Sequence, residues 1–343
     1  MRQKNIILKK YSKKKIIAFS CMIALVIAFP FIASGLFNTI YIIQLACFFG
    51  LYLIAVSGLD ILFGYSGQIS LGHAAFFCIG AYGSVMLRDY TGLPVLVTMI
   101  LGSVLATLLA ALIAYPASKL VFHFLSLATI AFGEIIYQFV AQSPGKITGN
   151  FTGYFTETVS IFGYKLNTNT KFYFFTLICV VIFLIAKRNI VNSRVGRALI
   201  AIRENSHAAN GMGINVRKYK VIAFAVSAFY TAYAGGMYAH FVRFISPDTF
   251  TQKQSILFLT MLLFGGTSSM MGPIIGTLSV QMFNEVLRSA ERYQLLIYGI
   301  LLLIVILALP GGIYGELLKI KEKVVMKFSR KEAVVKEDSN AGS

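Results

Sequence analysis

The chain has 343 residues, of which 57% are hydrophobic and only 13% are charged, and its mean hydropathy is +0.75. Soluble domains carry about 25% charged residues, so the composition excludes an ordinary water-soluble fold and indicates a membrane protein. The formal net charge of +18 raises the question of nucleic-acid binding, but the basic residues concentrate in 1–15, in 187–220 and after 316. This is the positive-inside pattern of a multi-pass membrane protein, without a basic stripe interleaved with aromatics.

The N-terminal region combines a lysine-rich segment (1–15) with an apolar run from 16 to 33. A signal peptide has the same charged start and apolar stretch, and Ala33-Ser34-Gly35 would suit cleavage. The alternative is a first transmembrane helix that is retained. We favour the retained helix because the rest of the chain is itself membrane-embedded and needs no secretion.

Further apolar runs bring the predicted number of spans to about ten. They cover 41–62, 63–87, 94–115, 121–140, 171–186, 219–241, 255–263, 274–286 and 295–309. With a cytoplasmic N-terminus, alternation of sides also places the basic 187–219 loop and the C-terminal tail in the cytoplasm. We therefore predict an all-α polytopic membrane protein with both termini cytoplasmic. Its parts are a basic N-terminus (1–15), a transmembrane domain (16–315) and a cytoplasmic tail (316–343).

The span at 63–87 contains glycines at short spacing together with polar side chains at membrane depth. Close helix packing is one explanation, and a broken helix whose free N–H groups face a polar cavity is the other. Polar groups at this depth are costly unless they are paired or line water. We favour a polar translocation pathway that includes Gly64, Gly67, Gln68, Gly72 and His73. A metal site is not predicted, because His73 lacks a second ligand at suitable spacing.

Two carboxylates lie in or near the predicted spans. Asp60 falls at the cytoplasmic end of its helix, where reaching the interface is the simple explanation. Glu134, between Gly133 and Ile135, is expected to lie deeper. A proton relay, contact with a substrate amine and a structural hydrogen bond all remain open for Glu134, and we include it among the pathway residues.

The segment from Arg194 to Met212 is polar and basic but has the periodicity of an amphipathic helix. One side carries Leu199, Ile202, Ser206 and Ala209, and another carries Arg203, Glu204 and His207. Glycines on both sides of Met212 suit a helix stop. We predict one short helix that docks a soluble partner. The residues assigned to this coupling role are Leu199, Ile202, Arg203, Glu204, Ala209, Gly211 and Gly213.

Motifs for catalysis are absent from the sequence. It contains no nucleophile motif, no GxxxxGK[ST] phosphate loop and no HExxH. We therefore predict that the chain is not an enzyme, needs no cofactor and lacks its own ATP-hydrolysing machinery.

Four stretches resemble the LivM-type membrane-permease subunit of bacterial ABC importers for branched-chain amino acids. They are GYSGQISLGHAAFFCIGAYGS (64–84), GRALIAIRENSHAANGMGINVRKYKVIAFAVSAFYTAYAGGMYAH (196–240), FISPDTF (244–250) and LLFGGTSSMMGPIIG (262–276). The resemblance extends from about residue 45 to 315. It implies a subunit of the bacterial plasma membrane that pairs with a LivH-like second permease. It also implies two cytoplasmic ATP-binding subunits, an extracytoplasmic substrate-binding protein, and an ATPase contact at 196–214.

The sequence departs from the family pattern in three places. TGNFTGY (148–154) has Asn150 where a second glycine is usual, and Tyr137 follows FGEII where an arginine is common. The coupling segment has Ser206-His207 where an acidic and an aliphatic residue are common. The resemblance favours translocation of leucine, isoleucine and valine. The alternatives are a permease for another amino acid, urea or a short amide, and an ion-coupled secondary transporter that uses Asp60 and Glu134.

Overall fold

The computed structural model describes residues 28–30, 39–118, 122–143, 147–156, 158–161 and 164–287, with scattered positions between 293 and 319. Nearly all of the predicted first span and the C-terminal tail therefore lie outside the described residues, as does the basic N-terminus. The helices are α1 (Thr39–Asp60), α2 (His73–Thr91), α3 (Val95–Ala117), α4 (Phe122–Ala141), α5 (Asn169–Asn192), α6 (Arg194–Glu204), α7 (Ser206–Gly211), α8 (Val216–Val242), α9 (Gln252–Gly265) and α10 (Gly272–Val286). The predicted helical fold is confirmed.

Short elements connect these helices. A π-helical turn (Ile61–Tyr65) extends α1, and two 3₁₀ turns cover Asn150–Thr152 and Pro247–Phe250. The strands are β1 (Tyr154–Phe155), β2 (Ser160–Ile161), β3 (Tyr164–Lys165) and β4 (Phe244–Ile245). β1 pairs with β4 and β2 with β3, both antiparallel. The β1–β4 pair brings the loop after α4 and the loop after α8 to the same end of the bundle.

Five helices in the described part of the chain are long and apolar enough to cross a membrane. They are Ile40–Tyr65, Val95–Ala117, Phe124–Ala141, Asn169–Asn192 and Val216–Val242. α9 and α10 have 14 and 15 residues, which is about 21 and 23 Å at 1.5 Å per residue and shorter than the roughly 30 Å hydrocarbon core. These two helices pack against each other as a hairpin, where the sequence predicted two spans at 255–263 and 274–286.

The centre of the bundle is α8, which packs against α1, α2 and α3. α2 and α8 meet backbone to backbone, because a Cβ at Gly80 would overlap the carbonyl of Ala232 and one at Gly235 would overlap the carbonyl of Phe77. Small residues at a helix interface allow this close approach in membrane proteins. The seam fixes α2, and with it the irregular segment 66–72 that precedes α2, against the core.

Candidate functional site

The predicted coupling segment consists of two helices rather than one. Ser193 caps α6 by accepting a hydrogen bond from the Val195 N–H at 3.1 Å. The chain then turns at Asn205, whose Oδ1 accepts from the N–H groups of His207 and Ala208, each at 3.0 Å. An asparagine side chain that bonds the following amides favours a helix start over a helix interior. The single continuous helix was therefore wrong, and Asn205 is the physical reason.

The amphipathic pattern of this segment is confirmed. Leu199, Ile202 and Ala209 are buried, and α6 packs against α5 and α8. Ser206 is half-buried, whereas Glu204 and His207 are exposed. α7 ends at Gly211, and Gly213 has a φ of +82°, which the absence of a side chain permits.

Arg203 connects the coupling segment to the interior of the bundle. Its Nη1 donates hydrogen bonds to the carbonyl oxygen of Gly64 and to Oγ of Ser268. Oγ of Ser268 in turn donates to the same Gly64 oxygen at 2.7 Å. A Cβ at Gly67 would lie 3.1 Å from Cγ of Arg203, and Gly67 itself has a φ of +70°. Coupling residues and pathway residues, predicted separately, are thus in direct contact.

A buried ion pair lies directly behind this contact. Oδ2 of Asp60 is 2.8 Å from Nζ of Lys187, and both side chains are wholly buried. Oδ1 of Asp60 accepts from the backbone N–H of Ser268 at 2.8 Å, and Nζ of Lys187 donates to the carbonyl of Ser269 at 3.1 Å. We name Asp60, Lys187, Ser268 and Ser269 the ionic cluster. It joins the end of α1, the helix α5 and the turn between α9 and α10.

The ionic cluster corrects two predictions. Asp60 was expected to reach the membrane interface, but it is fully buried because Lys187 neutralises its charge. The sixth span was expected to end at residue 186, with Lys187 in the loop. Instead α5 continues to Asn192, because Lys187 has a partner inside the bundle. The sequence signal for the pair was the presence of one charge of each sign at the ends of two apolar runs.

The predicted pathway residues around the break before α2 are packed and hydrogen-bonded. Gln68 donates to Oγ of Ser66 at 2.8 Å and to the Lys220 carbonyl at 3.2 Å. The ring of His73 lies between two hydroxyls, with Nδ1 3.1 Å from Oγ of Ser70 and Nε2 2.7 Å from Oγ of Ser227. The polar side chains of the break therefore have partners within the chain.

The backbone of the break is also satisfied by neighbouring helices. The N–H groups of Leu71 and Ala74 donate to the hydroxyls of Thr129 and Ser255, at 3.1 and 2.8 Å. A Cβ at Gly72 would overlap the carbonyl of Thr129. The sequence offered helix packing or a polar cavity as explanations, and packing accounts for Gly72.

Glu134 lies on an exposed face of α4 rather than deep in the bundle. Its Oε1 accepts a hydrogen bond from Nε2 of Gln138 at 2.9 Å. Glu134 was expected to lie deeper because it falls within an apolar run. Its position in the run determines how far along the helix it lies, but not whether it faces the bundle.

Membrane-length helices around α8, with Asp60 and Lys187 paired inside the bundle, define a multi-pass membrane protein. A family model described as "Branched-chain amino acid transport system / permease component" matches residues 41–306. The chain belongs to this family of ABC permeases. Members of the family are not themselves enzymes.

Three curated relatives illustrate the similarity. The high-affinity branched-chain amino acid transport system permease protein LivM of Escherichia coli K12 is 27% identical, over 85% of this chain and 73% of the relative. A probable LivM permease of Methanocaldococcus jannaschii is 23% identical, over 78% and 91%. The LivH permease of E. coli K12 is 32% identical over a shorter region, 36% of this chain and 41% of the relative. No solved structure matches the chain.

Proposed function

We propose that this chain is the LivM-type subunit of an importer that moves leucine, isoleucine and valine across a bacterial plasma membrane. Its partners are a LivH-like second permease, two cytoplasmic ATP-binding subunits that hydrolyse ATP, and an extracytoplasmic binding protein that delivers the amino acid. The named LivM and LivH relatives support the substrate and the second permease.

The observation that carries the proposal is the attachment of the coupling segment to the permease core. Glu204, His207 and Met212 are exposed, and 84% of Met212 is accessible. The opposite face is buried, and Arg203 bonds to Gly64 and Ser268. One face of the segment is therefore exposed, and the other is bonded to two turns inside the bundle. Such a segment is suited to transmit motion from an ATPase to a solute passage.

Mechanistically, closure of the ATPase dimer on ATP displaces α6 and α7. Arg203 transmits the displacement to the Gly64 turn and to the turn between α9 and α10. The ionic cluster moves with them as one body, because separating Asp60 from Lys187 would leave a buried charge without a partner. The spans then exchange between outward-open and inward-open states around a passage near Gly64, Gln68 and His73.

Reconstitution in proteoliposomes tests this function. The chain is combined with the second permease, the ATP-binding subunits and the binding protein, and uptake of radiolabelled leucine is measured. We expect uptake that requires ATP and persists when an ionophore removes ion gradients. Uptake that collapses with the ionophore and needs no ATPase would instead establish an ion-coupled secondary transporter.

The docking assignment has its own test within the same system. Glu204→Ala combined with His207→Ala should weaken co-purification of the ATP-binding subunits and lower uptake, with an unchanged melting temperature. The matched control is Lys171→Ala, which removes a charge at the opposite end of α5. Wild-type co-purification and uptake in the double variant would contradict the assignment. Titrating the binding protein with branched-chain amino acids, other amino acids, urea and short amides distinguishes the remaining solute classes.

A further inference from the structure

Three polar side chains form a hydrogen-bonded ladder along an exposed face of α4 and the first residue after it. Nε2 of Gln138 donates to Oε1 of Glu134 at 2.9 Å, and Nε2 of Gln142 donates to Oε1 of Gln138 at 3.1 Å. Residues four apart lie above one another on a helix, so all three share one face. We name Glu134, Gln138 and Gln142 the polar ladder. Glu134 and Gln142 are eight positions apart, which corresponds to about 12 Å along the axis.

The polar ladder occupies only part of the exposed surface of α4. Ile135 and Phe139, each 63% exposed, lie beside Glu134 and Gln138 at the same height. Phe124–Ala141 is one of the membrane-length helices. Lipid tails can cover the apolar part, but carboxylates at membrane depth face protein or water rather than hydrocarbon. The ladder therefore marks the portion of α4 that is turned away from lipid in the assembled transporter.

α4 contacts the break that precedes α2 through a side other than the one that carries the polar ladder. Thr129, just over one turn from Glu134, accepts the hydrogen bond from Leu71 and is in close contact with Gly72. Gln252 also bonds to the Leu71 carbonyl, at 2.9 Å. α4 thus packs on the break with one side and presents the polar ladder on another, about 140° around the helix axis.

A second carboxylate lies on the turn that packs against α4. The hydroxyl of Tyr137, three residues after Glu134, is hydrogen-bonded to Asp248. A carboxylate such as Glu134 favours a positively charged group close to it. The two glutamine amides supply donors and acceptors for the other end of a zwitterion.

We propose that the polar ladder lines the solute passage and that Glu134 binds the ammonium group of the amino acid in transit. The inference rests on the proposed function for the identity of the solute. It assigns recognition of the solute to one face of α4 and to one carboxylate. The proposed coupling to the ATPase does not require this step.

Thiol labelling tests the placement without relying on transport. Cys47, Cys78 and Cys179 are buried, and they are replaced together with Cys21 to give a background that is checked for uptake. Gln138→Cys and Phe139→Cys are then compared in the assembled complex with a membrane-impermeant methanethiosulfonate. We expect at least tenfold faster labelling at position 138 than at 139, and slower labelling at 138 when leucine-loaded binding protein is present. Equal rates, whether fast or slow, would overturn the proposal.

Substitution of Glu134 tests the recognition step. Glu134→Gln should lower leucine uptake at least tenfold while co-purification of all partner subunits stays unchanged, and Glu134→Asp should retain more uptake than Glu134→Gln. Ile135→Leu is the matched control and should transport normally. Wild-type uptake in both Glu134→Gln and Glu134→Leu would overturn the proposal. Loss of the second permease from Glu134→Gln would also overturn it, because the ladder would then be a subunit contact.

The two proposals fail in distinguishable ways. A wild-type complex that imports no amino acid with ATP contradicts the proposed function. Normal import without a labelling difference between positions 138 and 139 contradicts the role of the polar ladder alone.

Discussion

Asp60 and Glu134 are both carboxylates in membrane-length helices, yet their surroundings are opposite. Asp60 is fully buried, ion-paired with Lys187 and bonded to the Ser268 amide. Glu134 is exposed and bonded to an amide of its own helix. The first charge is neutralised inside the folded chain, whereas the second lies on its surface.

The positions of the two helices explain the difference. In the most apolar stretch of the helix Ile40–Tyr65, 61% of the residues are buried. In the most apolar stretch of Phe124–Ala141, only 22% of the residues are buried. A helix in the middle of the bundle can hold a charge only if a neighbour supplies the counter-charge. A peripheral helix can carry a charge that serves assembly or transport. Stability measurements on the two sites should therefore diverge, and the predictions below test that divergence.

The largest effect is expected from Asp60→Ala. Removing this carboxylate leaves Lys187 charged and buried without its partner, which typically costs about 3–5 kcal/mol of folding stability. Thermal unfolding of the detergent-solubilised protein, together with the yield of monodisperse protein, measures the loss. Glu134→Ala should change the melting temperature little, because its side chain is exposed.

A double variant separates the charge from the packing at this site. Asp60→Leu with Lys187→Met removes both charges and should recover most of the stability lost in Asp60→Ala. The comparison between Asp60 and Glu134 fails if Asp60→Ala and Glu134→Ala unfold at the same temperature.

The next effect concerns packing on the buried side, at the seam between α2 and α8. A methyl group at Gly80 would overlap the Ala232 carbonyl, so Gly80→Ala should cost about 1–3 kcal/mol through overpacking. Gly83 is the matched control on the same helix, since its added Cβ would lie 3.5 Å from its nearest neighbour, Cα of Gly102, which is ordinary van der Waals contact. Thermal unfolding of both variants gives the measurement. Equal melting temperatures would show that the seam can widen, and that charge rather than packing limits the interior.

The sequence predicted the features that depend on periodicity and composition. The membrane class, five of the spans and the buried face of Leu199, Ile202 and Ala209 all follow from the spacing of apolar residues, and the structure confirms them. Each of these features depends on the pattern of apolar residues within one segment, so it can be predicted from that segment alone.

The features that the sequence did not predict depend on contacts between distant segments. Asp60 and Lys187 are separated by more than 120 positions, and hydropathy treats each as the end of a span. Asn205 interrupts the coupling helix through two local hydrogen bonds that periodicity does not register. The hydrophobic run around Glu134 predicts a span but not which face of α4 the bundle covers.

A smaller effect is expected from Arg203, which is on the surface but bonded to the interior. Arg203→Ala removes the hydrogen bonds to Gly64 and Ser268 and should lower stability by about 1–2 kcal/mol. Glu204→Ala, the next residue on the same helix, should leave stability unchanged. The two variants separate attachment to the core from the proposed attachment to the ATPase, and thermal unfolding and co-purification are measured on both.

The two readouts decide what Arg203 does. If Arg203→Ala melts like the wild type, the coupling segment is fixed to the bundle by its apolar face alone. In that case the lever acts through Leu199 and Ile202, and the link between the coupling segment and the polar break loses its physical basis.

The smallest effect extends the comparison to Asp89, a third carboxylate, which lies at the loop end of α2 outside the membrane-length helices. The hydroxyl of Tyr154 donates to Oδ2 of Asp89, and this hydrogen bond, with partial burial and the charge of Asp89, raises the pKa of Tyr154 to about 12. Because the pKa is raised on folding from an unfolded value near 10, the contribution is fully present below about pH 10. It is lost as the pH rises toward 12. Tyr154→Phe should cost less than about 1 kcal/mol near pH 8, since the pair is exposed to solvent.

Melting temperatures of wild type and Tyr154→Phe between pH 7 and 11 measure this difference, which should narrow above pH 10. Asp89→Asn is the matched control, because an amide can still accept the hydrogen bond but carries no charge to oppose ionisation of the tyrosine. A difference in melting temperature that stays constant to pH 11 would mean that Asp89 does not raise the pKa of Tyr154. The charge of Asp89 would then be screened by water, in contrast to the buried, ion-paired Asp60.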